Sequence, residues 1–254
     1  WKYFKVAHKS VHNHVVESEL FIHYWQLPGE LYVSLKGDFH KNFCLIIQNK
    51  VNCKFKNCFY KILDCPKWHA QRLFNEDIRF TIKELEILRK IAQISREETE
   101  KNLETLGNYE DGTIIKSPKL PFHLKDIFYV ASHLMFDGCF RFNKGGYFYA
   151  YGTSLAEYHK KRLSEFGEVP VNLIKKENQL YFSYTLGYIT SKILDIKTFK
   201  SKECTLSDKF KLLAKKYKII ADEIIKAMII DEGSIGDKIK IELANKKLVE
   251  DLYN

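Results

Sequence analysis

An apolar segment with helical spacing occurs twice in this chain, and each copy ends in an acidic residue followed by glycine. The first copy occupies residues 130–138 and the second occupies residues 225–233. Glycine is the residue that most often follows the end of a helix. A unit of this kind that returns later in the chain indicates a fold built from two similar halves.

The pattern around the first copy predicts a helix, a hairpin, a second helix, a second hairpin and a third helix. The order then restarts with a helix, a strand and a further helix, which begins at Asn245. The predicted helices are residues 124–137, 154–166, 189–196 and 221–232, and the predicted strands are residues 140–141, 147–151, 171–176, 179–186 and 238–243.

Residues 130–138 resemble the nine-residue motif that names the LAGLIDADG homing-endonuclease superfamily. They keep Ala131, the small Ser132 and the closing Asp137-Gly138. Residues 225–233 resemble the second copy of that motif, in its Asp-Glu-Gly form. The resemblance extends over about half of the chain, from residue 122 to residue 254. Each match is loose, and the pair with the right element order between the copies is the stronger signal.

The resemblance implies an α+β fold with a pseudo-symmetric αββαββα saddle in an endonuclease-like domain, residues 119–254. The first half is expected over residues 122–207. The second half, residues 208–254, is incomplete because no second hairpin or third helix follows. In the family the two motif helices pack side by side, which needs small residues at their crossing. Ser132 and Ala227 occupy that position here.

The family's activity is site-specific cleavage of double-stranded DNA, with one catalytic acid from each motif helix. Here those acids are Asp137 and Glu232. Two carboxylates at helix C-termini favour a divalent cation, with Mg²⁺ or Mn²⁺ expected as cofactor. One such helix end alone would be read as an ordinary terminus, whereas two at equivalent places favour the metal site. The resemblance implies a metal site at Asp137, Gly138, Glu232 and Gly233.

Charge agrees with a polyanionic partner, because the net charge is +9 and the pI is about 9.0. A lysine-rich composition also follows from an AT-rich genome, so charge alone decides little. In the family the hairpins face the major groove, and alternation lets only about half of their side chains do so. The candidate DNA-binding residues are Arg141, Asn143, Lys144, Tyr147, Tyr149, Tyr151, Lys175, Lys176, Tyr181, Ser183, Lys238 and Lys240.

Two residues depart from the family pattern. Phe136 stands where a small residue is usual, and His133 is interpreted as an interface histidine with its hydrogen bonds made. Three functions are therefore considered. The first is a metal-dependent DNA endonuclease, and the second is a DNA-binding regulator or RNA-splicing helper without cleavage. The third, an intein carrying the nuclease, is disfavoured because the chain neither starts with Cys or Ser nor ends in His-Asn.

Residues 1–118 have no catalytic signature, and we expect them to add DNA contact or to serve as a structural appendage. They are predicted to be β-rich up to about residue 75, with a helical hairpin at residues 81–107. A helix-turn-helix is the alternative for the hairpin, but its glutamate-rich second helix, residues 96–106, disfavours it. A domain boundary is placed near residue 118. The predicted strands are residues 15–25, 30–36, 43–51 and 54–63.

Six cysteines occur, and Cys53, Cys58 and Cys65 with His69 allow a metal site. Because no tight Cys-x-x-Cys pair is present, buried free thiols are the preferred interpretation. No apolar run reaches the length of about 18 residues that spans a bilayer. The chain is predicted to be a cytoplasmic monomer with internal pseudo-twofold symmetry and no membrane association, and an N-terminus before Trp1 is left open.

Overall fold

Helices and antiparallel sheets alternate along this chain, and the predicted α+β class is confirmed. The computed structural model describes residues 18–52, 59–75, 78–108, 114–141, 145–200, 203–235, 239–241, 243 and 245–253. Within those ranges, no helix has the length and apolar character needed to cross a membrane.

The first part of the chain combines short strands with helices. Its strands are β1 (Phe21–Ile22), β2 (Tyr32–Leu35), β3 (Phe80–Thr81), β4 (Leu103–Gly107), β5 (Ile115–Lys116) and β6 (Phe122–His123). Its helices are α1 (Gly37–Lys50), α2 (Phe59–Leu63), α3 (Lys67–Phe74), α4 (Ile82–Ala92) and α5 (Arg96–Lys101). Strands β3, β2, β4 and β5 form an antiparallel sheet in that order.

The predicted strand at residues 43–51 is wrong, because this segment belongs to α1. A continuous apolar run fits a buried strand and a buried helix equally well. Burial decides between them, since His40, Phe43, Cys44 and Ile47 are buried at helical spacing while Leu45 is 53% exposed. The described part of the predicted strand at 54–63 is also helical, as α2. The β-rich prediction therefore fails for much of this region.

The helical hairpin is confirmed only in its first part. Thr81 and Glu84 form a capping box at the start of α4, and Ser95 caps α5. Helix α5 ends at Lys101, and the segment predicted as its continuation is strand β4. Pairing of β4 with β2 and burial of Leu103 place this segment in the sheet. Tertiary pairing outweighs the local helical preference here.

The second part of the chain has the predicted order of elements as far as its third helix, which begins at Tyr184, so the predicted strand 179–186 ends early at Phe182. After that helix, the structure adds one helix (Asp208–Lys216) and one strand (Gly233–Ile235) to the predicted helix, strand and helix. Helix α6 (Leu124–Phe136), strands β7 (Gly138–Arg141) and β8 (Gly145–Tyr149), helix α7 (Gly152–Leu163), strands β9 (Val171–Ile174) and β10 (Gln179–Phe182), and helix α8 (Tyr184–Ile193) come first. Then come helices α9 (Asp208–Lys216) and α10 (Lys218–Glu232), strands β11 (Gly233–Ile235) and β12 (Ile239–Ile241), and helix α11 (Lys246–Tyr253).

Strands β7, β8, β10 and β9 form a second antiparallel sheet in that order. Phe140, Phe148, Leu180 and Phe182 are buried on the face that packs against the helices. The residues between them in each strand point to the other side, because successive side chains alternate. This side is called the open face below.

Strand pairing and a hydrogen bond join the parts of the chain on either side of residue 118. The domain boundary predicted near that residue remains a prediction. Strand β1 pairs with β6, and Lys116 bridges to Glu168. The Tyr188 hydroxyl donates a hydrogen bond to Glu30. Several predictions lie outside the described residues, namely those on Asn143, Lys144, Lys238, Cys53 and Cys58, and those on the Lys240 side chain.

Four cysteines lie in the described ranges, and all are free thiols. Cys44 and Cys204 are buried, as predicted, whereas Cys65 and Cys139 are only partly covered.

Candidate functional site

Helices α6 and α10 pack side by side, so the two motif copies meet in the core. Ser132 and Ala227, predicted at their crossing, are both almost fully buried. Small side chains at a crossing let two helix backbones approach closely. The structure therefore brings together the two segments that the sequence repeat singles out.

Glycine is required after each acid because there is no room for a side chain. A Cβ at Gly138 would lie 2.6 Å from the carbonyl oxygen of His133 and 2.9 Å from that of Tyr147. A Cβ at Gly233 would lie 2.4 Å from the carbonyl oxygen of Ile229. Each glycine starts a strand and lacks a positive φ, so close packing rather than left-handed geometry explains the residue.

Asp137 and Glu232 lie where the chain leaves the two helices, and each is partly buried. Burial, together with the charge of Asp231, raises the pKa of Asp137 to about 6. Burial raises the pKa of Glu232 to about 7, and the charges of Asp137 and Asp231 act in the same direction. The effect of Asp231 on Asp137, and of both on Glu232, has the direction expected for neighbouring carboxyl groups.

Asp231 is held by a histidine of the opposite helix. His133 Nδ1 lies 2.8 Å from both carboxyl oxygens of Asp231, and the two side chains are 1% and 5% exposed. Burial raises the pKa of Asp231 to about 8 and lowers that of His133 to about 3. Burial therefore favours the neutral pair, in which the carboxyl O–H donates to the imidazole. His133 is an interface histidine with a partner, as predicted.

A second polar contact joins the same helices. Arg162 of α7 donates to Asp126 of α6 at 3.1 Å and to Glu223 of α10 at 2.9 Å. Its guanidinium lies 4.6 Å from the ring centre of Tyr129. Both acids are buried, and this arginine supplies an opposite charge to each. The sequence analysis did not identify this cluster. The signal that could have found it was the presence of the acids Asp126 and Glu223 within otherwise apolar helices.

His159 extends the buried polar contacts from α6 to α7. The Tyr129 hydroxyl lies 2.6 Å from His159 Nδ1, and the His159 ring meets the His133 ring edge-on at 4.8 Å. Burial lowers the pKa of His159 to about 3, so it is neutral near pH 7.

The open face carries part of the predicted DNA-binding set. Cys139, Tyr147 and Tyr181 lie opposite one another across three strands, with Tyr149 on the same side. Arg141, Tyr151, Lys175 and Lys176 are exposed. Ser183 is a wrong prediction, because its buried hydroxyl caps α8 by accepting from the Thr185 amide.

A cavity of about 330 Å³ joins the open face to the acidic end of α6. It thus places one predicted catalytic acid beside two predicted DNA-binding tyrosines. Its lining residues are Phe136, Asp137, Gly138, Cys139, Tyr147, Tyr149, Phe199 and Lys200.

The donor set suits a cation that takes few protein ligands. Among the described residues, no cluster of three or more His, Cys, Asp or Glu side chains is arranged to hold a metal. Mg²⁺ is usually bound by one or two carboxylates together with waters and phosphate oxygens. Asp137 and Glu232 supply two carboxylates, and a cation would offset the repulsion that raises their pKa values.

Comparisons with protein-family models, with curated proteins and with solved structures find no match.

Proposed function

We propose that this chain is a divalent-metal-dependent endonuclease that cuts double-stranded DNA. The observation that carries the proposal is the convergence of two acids, Asp137 and Glu232, at equivalent ends of two closely packed helices. The resemblance of the two helices to the LAGLIDADG motif supports the same function. A positively charged chain with an open sheet face beside the acids suits a DNA substrate.

Asp137 and Glu232 would hold Mg²⁺ or Mn²⁺ through their carboxylates. Such a cation activates water and stabilises the leaving oxygen of a phosphodiester. The role of the chain is to hold both carboxylates at the ends of fixed helices. The pair His133–Asp231 and the bridge that Arg162 makes between Asp126 and Glu223 join the two helices. We propose that each acid serves one strand of the duplex.

Duplex contact is assigned to the charged edges of the sheet that carries the open face. Exposed Arg141 and Lys175 can reach phosphates, which positions the duplex without reading its sequence. The cavity beside Asp137 is the place where a strand would approach the acids.

The test is cleavage of a supercoiled plasmid library that includes the DNA flanking the gene, in Mg²⁺ or Mn²⁺. Discrete cutting is expected, and Asp137→Asn and Glu232→Gln should each lower it at least about a hundredfold. Asp222→Asn is the matched control, because this acid lies on α10 but pairs with Lys218 at the surface. Equal cutting by wild type and both acid variants would refute the assignment.

Binding without cutting has a separate meaning. Tight, salt-sensitive duplex binding with no metal-dependent cleavage would favour the DNA-binding regulator. Preferential binding of structured RNA would favour the splicing helper. Neither binding nor cleavage would remove the nucleic-acid proposal altogether.

A further inference from the structure

We propose that the open face binds unpaired nucleobases by stacking them on a row of tyrosines. The row consists of Tyr147, Tyr149, Tyr151 and Tyr181 and is called the tyrosine face. This inference rests on the proposed function only in needing nucleic acid on this sheet, because stacking requires neither metal nor cleavage.

Neighbouring rings of the row contact one another, edge-on between Tyr147 and Tyr149 and tilted between Tyr147 and Tyr181. Tyr147 lies between Tyr149, whose ring centre is 5.5 Å away, and Tyr181, whose ring centre is 5.2 Å away. The ring planes of Tyr149 and Tyr151 are nearly parallel, with an interplanar angle of 8° and ring centres 5.9 Å apart. Tyr151 is 62% exposed, so the row continues from the sheet into solvent.

The chemistry of this surface differs from that of a surface that reads an intact duplex. Base edges in the major groove are read mainly by the long polar side chains of Arg, Lys, Asn and Gln. In a duplex the faces of the bases are covered by their neighbours. Aromatic rings on an exposed sheet bind the faces of bases that are unpaired. The three tyrosines of the open face, continued beyond its strand by Tyr151, therefore favour unpaired bases.

The cavity beside the tyrosine face has the size and lining for one base. Its volume of about 330 Å³ is in the range of small-molecule sites. Tyr147, Tyr149 and Phe199 supply aromatic walls, and the exposed Lys200 stands at its edge. An unpaired base seated here would have its phosphate near a cation and would lie beside Asp137.

Charge at the rim fits a phosphate backbone. Arg141 is exposed at the end of β7, and Lys175 and Lys176 are exposed between β9 and β10. These cations border the same sheet from which the tyrosines project. A strand that stacks on the rings could therefore have its phosphates neutralised on either side.

The experiment measures binding of short oligonucleotides that contain 2-aminopurine, in EDTA. Single-stranded DNA, single-stranded RNA and a fully paired hairpin are compared by anisotropy and by 2-aminopurine fluorescence. Stacking should quench the fluorescence of both single strands, which should bind more tightly than the hairpin. The ratio of the DNA and RNA affinities identifies the natural source of the base.

Tyr147→Leu and Tyr149→Leu should each weaken single-strand binding about five- to a hundredfold and remove the quench. Tyr147→Phe keeps the ring and should bind as wild type. The matched control is Trp68→Leu, an aromatic residue on α3 that is 60% exposed and lies outside the tyrosine face. A circular dichroism melt of each variant verifies its fold.

The outcomes separate the two proposals. A quench that depends on Tyr147 and Tyr149, in a protein that cuts no duplex, keeps the tyrosine face and removes the endonuclease. Metal-dependent cutting with tighter hairpin binding and no quench does the reverse. Leucine variants that fold and bind single strands as tightly as Trp68→Leu would overturn the inference.

Discussion

Helices α6 and α10 have similar sequence patterns and very different surroundings. In α6 every residue except Lys125 is buried, whereas α10 buries only Ile220, Glu223, Ile224 and Ala227. Val130 is 0% exposed, but its counterpart Ile225 is 48% exposed. The sheet of β7, β8, β10 and β9 lies against α6. Strands β11 and β12, which follow α10, pair with each other in a two-stranded sheet within the described residues. The comparison shows that the motif determines a helix and its crossing, and that neighbouring elements determine its burial.

The largest effect is expected where the two helices share one partner. Arg162→Met should lower the free energy of unfolding by about 3–5 kcal/mol, because it leaves Asp126 and Glu223 buried without their cation. Lys160→Met on the same helix is the control, since its ion pair with Glu157 is exposed. Chemical denaturation measures both. Equal stabilities for the two variants would mean that the cluster does not hold α6 to α10.

At the crossing the difference between the helices should disappear. Ser132→Leu and Ala227→Leu should each cost about 1–3 kcal/mol, because both positions are filled and a larger side chain forces the backbones apart. Ser132→Ala keeps the volume and serves as control in the same unfolding experiment. A large cost in α6 together with none in α10 would extend the asymmetry to the contact itself.

Outside the crossing, the unequal burial of Val130 and Ile225 should appear as unequal losses in the free energy of unfolding. Val130→Ala should cost about 2 kcal/mol through lost burial and a residual cavity. Ile225→Ala removes more atoms yet should cost under about 1 kcal/mol, because much of that side chain is already in water. Thermal unfolding of the two variants gives the ratio. A higher cost for Ile225→Ala would show that a partner covers α10 in solution.

The smallest effect is a pH dependence of stability from the acidic end of α10. Burial raises the pKa of Asp231 to about 8 and that of Glu232 to about 7. The folded state therefore holds these protons more tightly than the unfolded state, which stabilises the fold at low pH. This contribution to stability is lost as pH rises through those values. The lowered pKa values of His133 and His159 act oppositely, with stability lost as pH falls below about 6.5.

Between pH 6.5 and 8 the pH dependence of stability should therefore come from the acids and not from the two histidines. The melting temperature in EDTA should fall across this range and fall less in Asp231→Asn. Added Mg²⁺ should restore part of it at pH 8, because a cation favours the ionised carboxylates. A flat profile for the wild type would contradict the burial of these acids.

Local pattern was enough for parts of the fold and of the site. The spacing within residues 130–138 and 225–233 predicted two helices, and the resemblance of these segments to a known motif implied their crossing at Ser132 and Ala227. The strand prediction at residues 43–51 failed because a continuous apolar run has neither the two-residue period of a strand nor the 3.6-residue period of a helix. Only the folded structure shows that Leu45 faces water.

The pairing of His133 with Asp231 was beyond local pattern for a different reason. These residues are 98 positions apart, and no spacing rule relates them. His133 alone looks like a departure from a motif, whereas Asp231 alone looks like part of the Asp-Glu-Gly ending of one. Only the packing of α6 on α10 shows that the two residues belong together.

The two polar contacts between the helices have a consequence for how α10 can move. Glu223 and Asp231 are eight residues apart on α10, which is about 12 Å along the helix axis. Sliding α10 by one turn would carry Glu232 about 5.4 Å from its place beside Asp137 and would break both contacts at once. Arg162 and His133 together therefore lock the axial position of α10, and with it the spacing of the two acids.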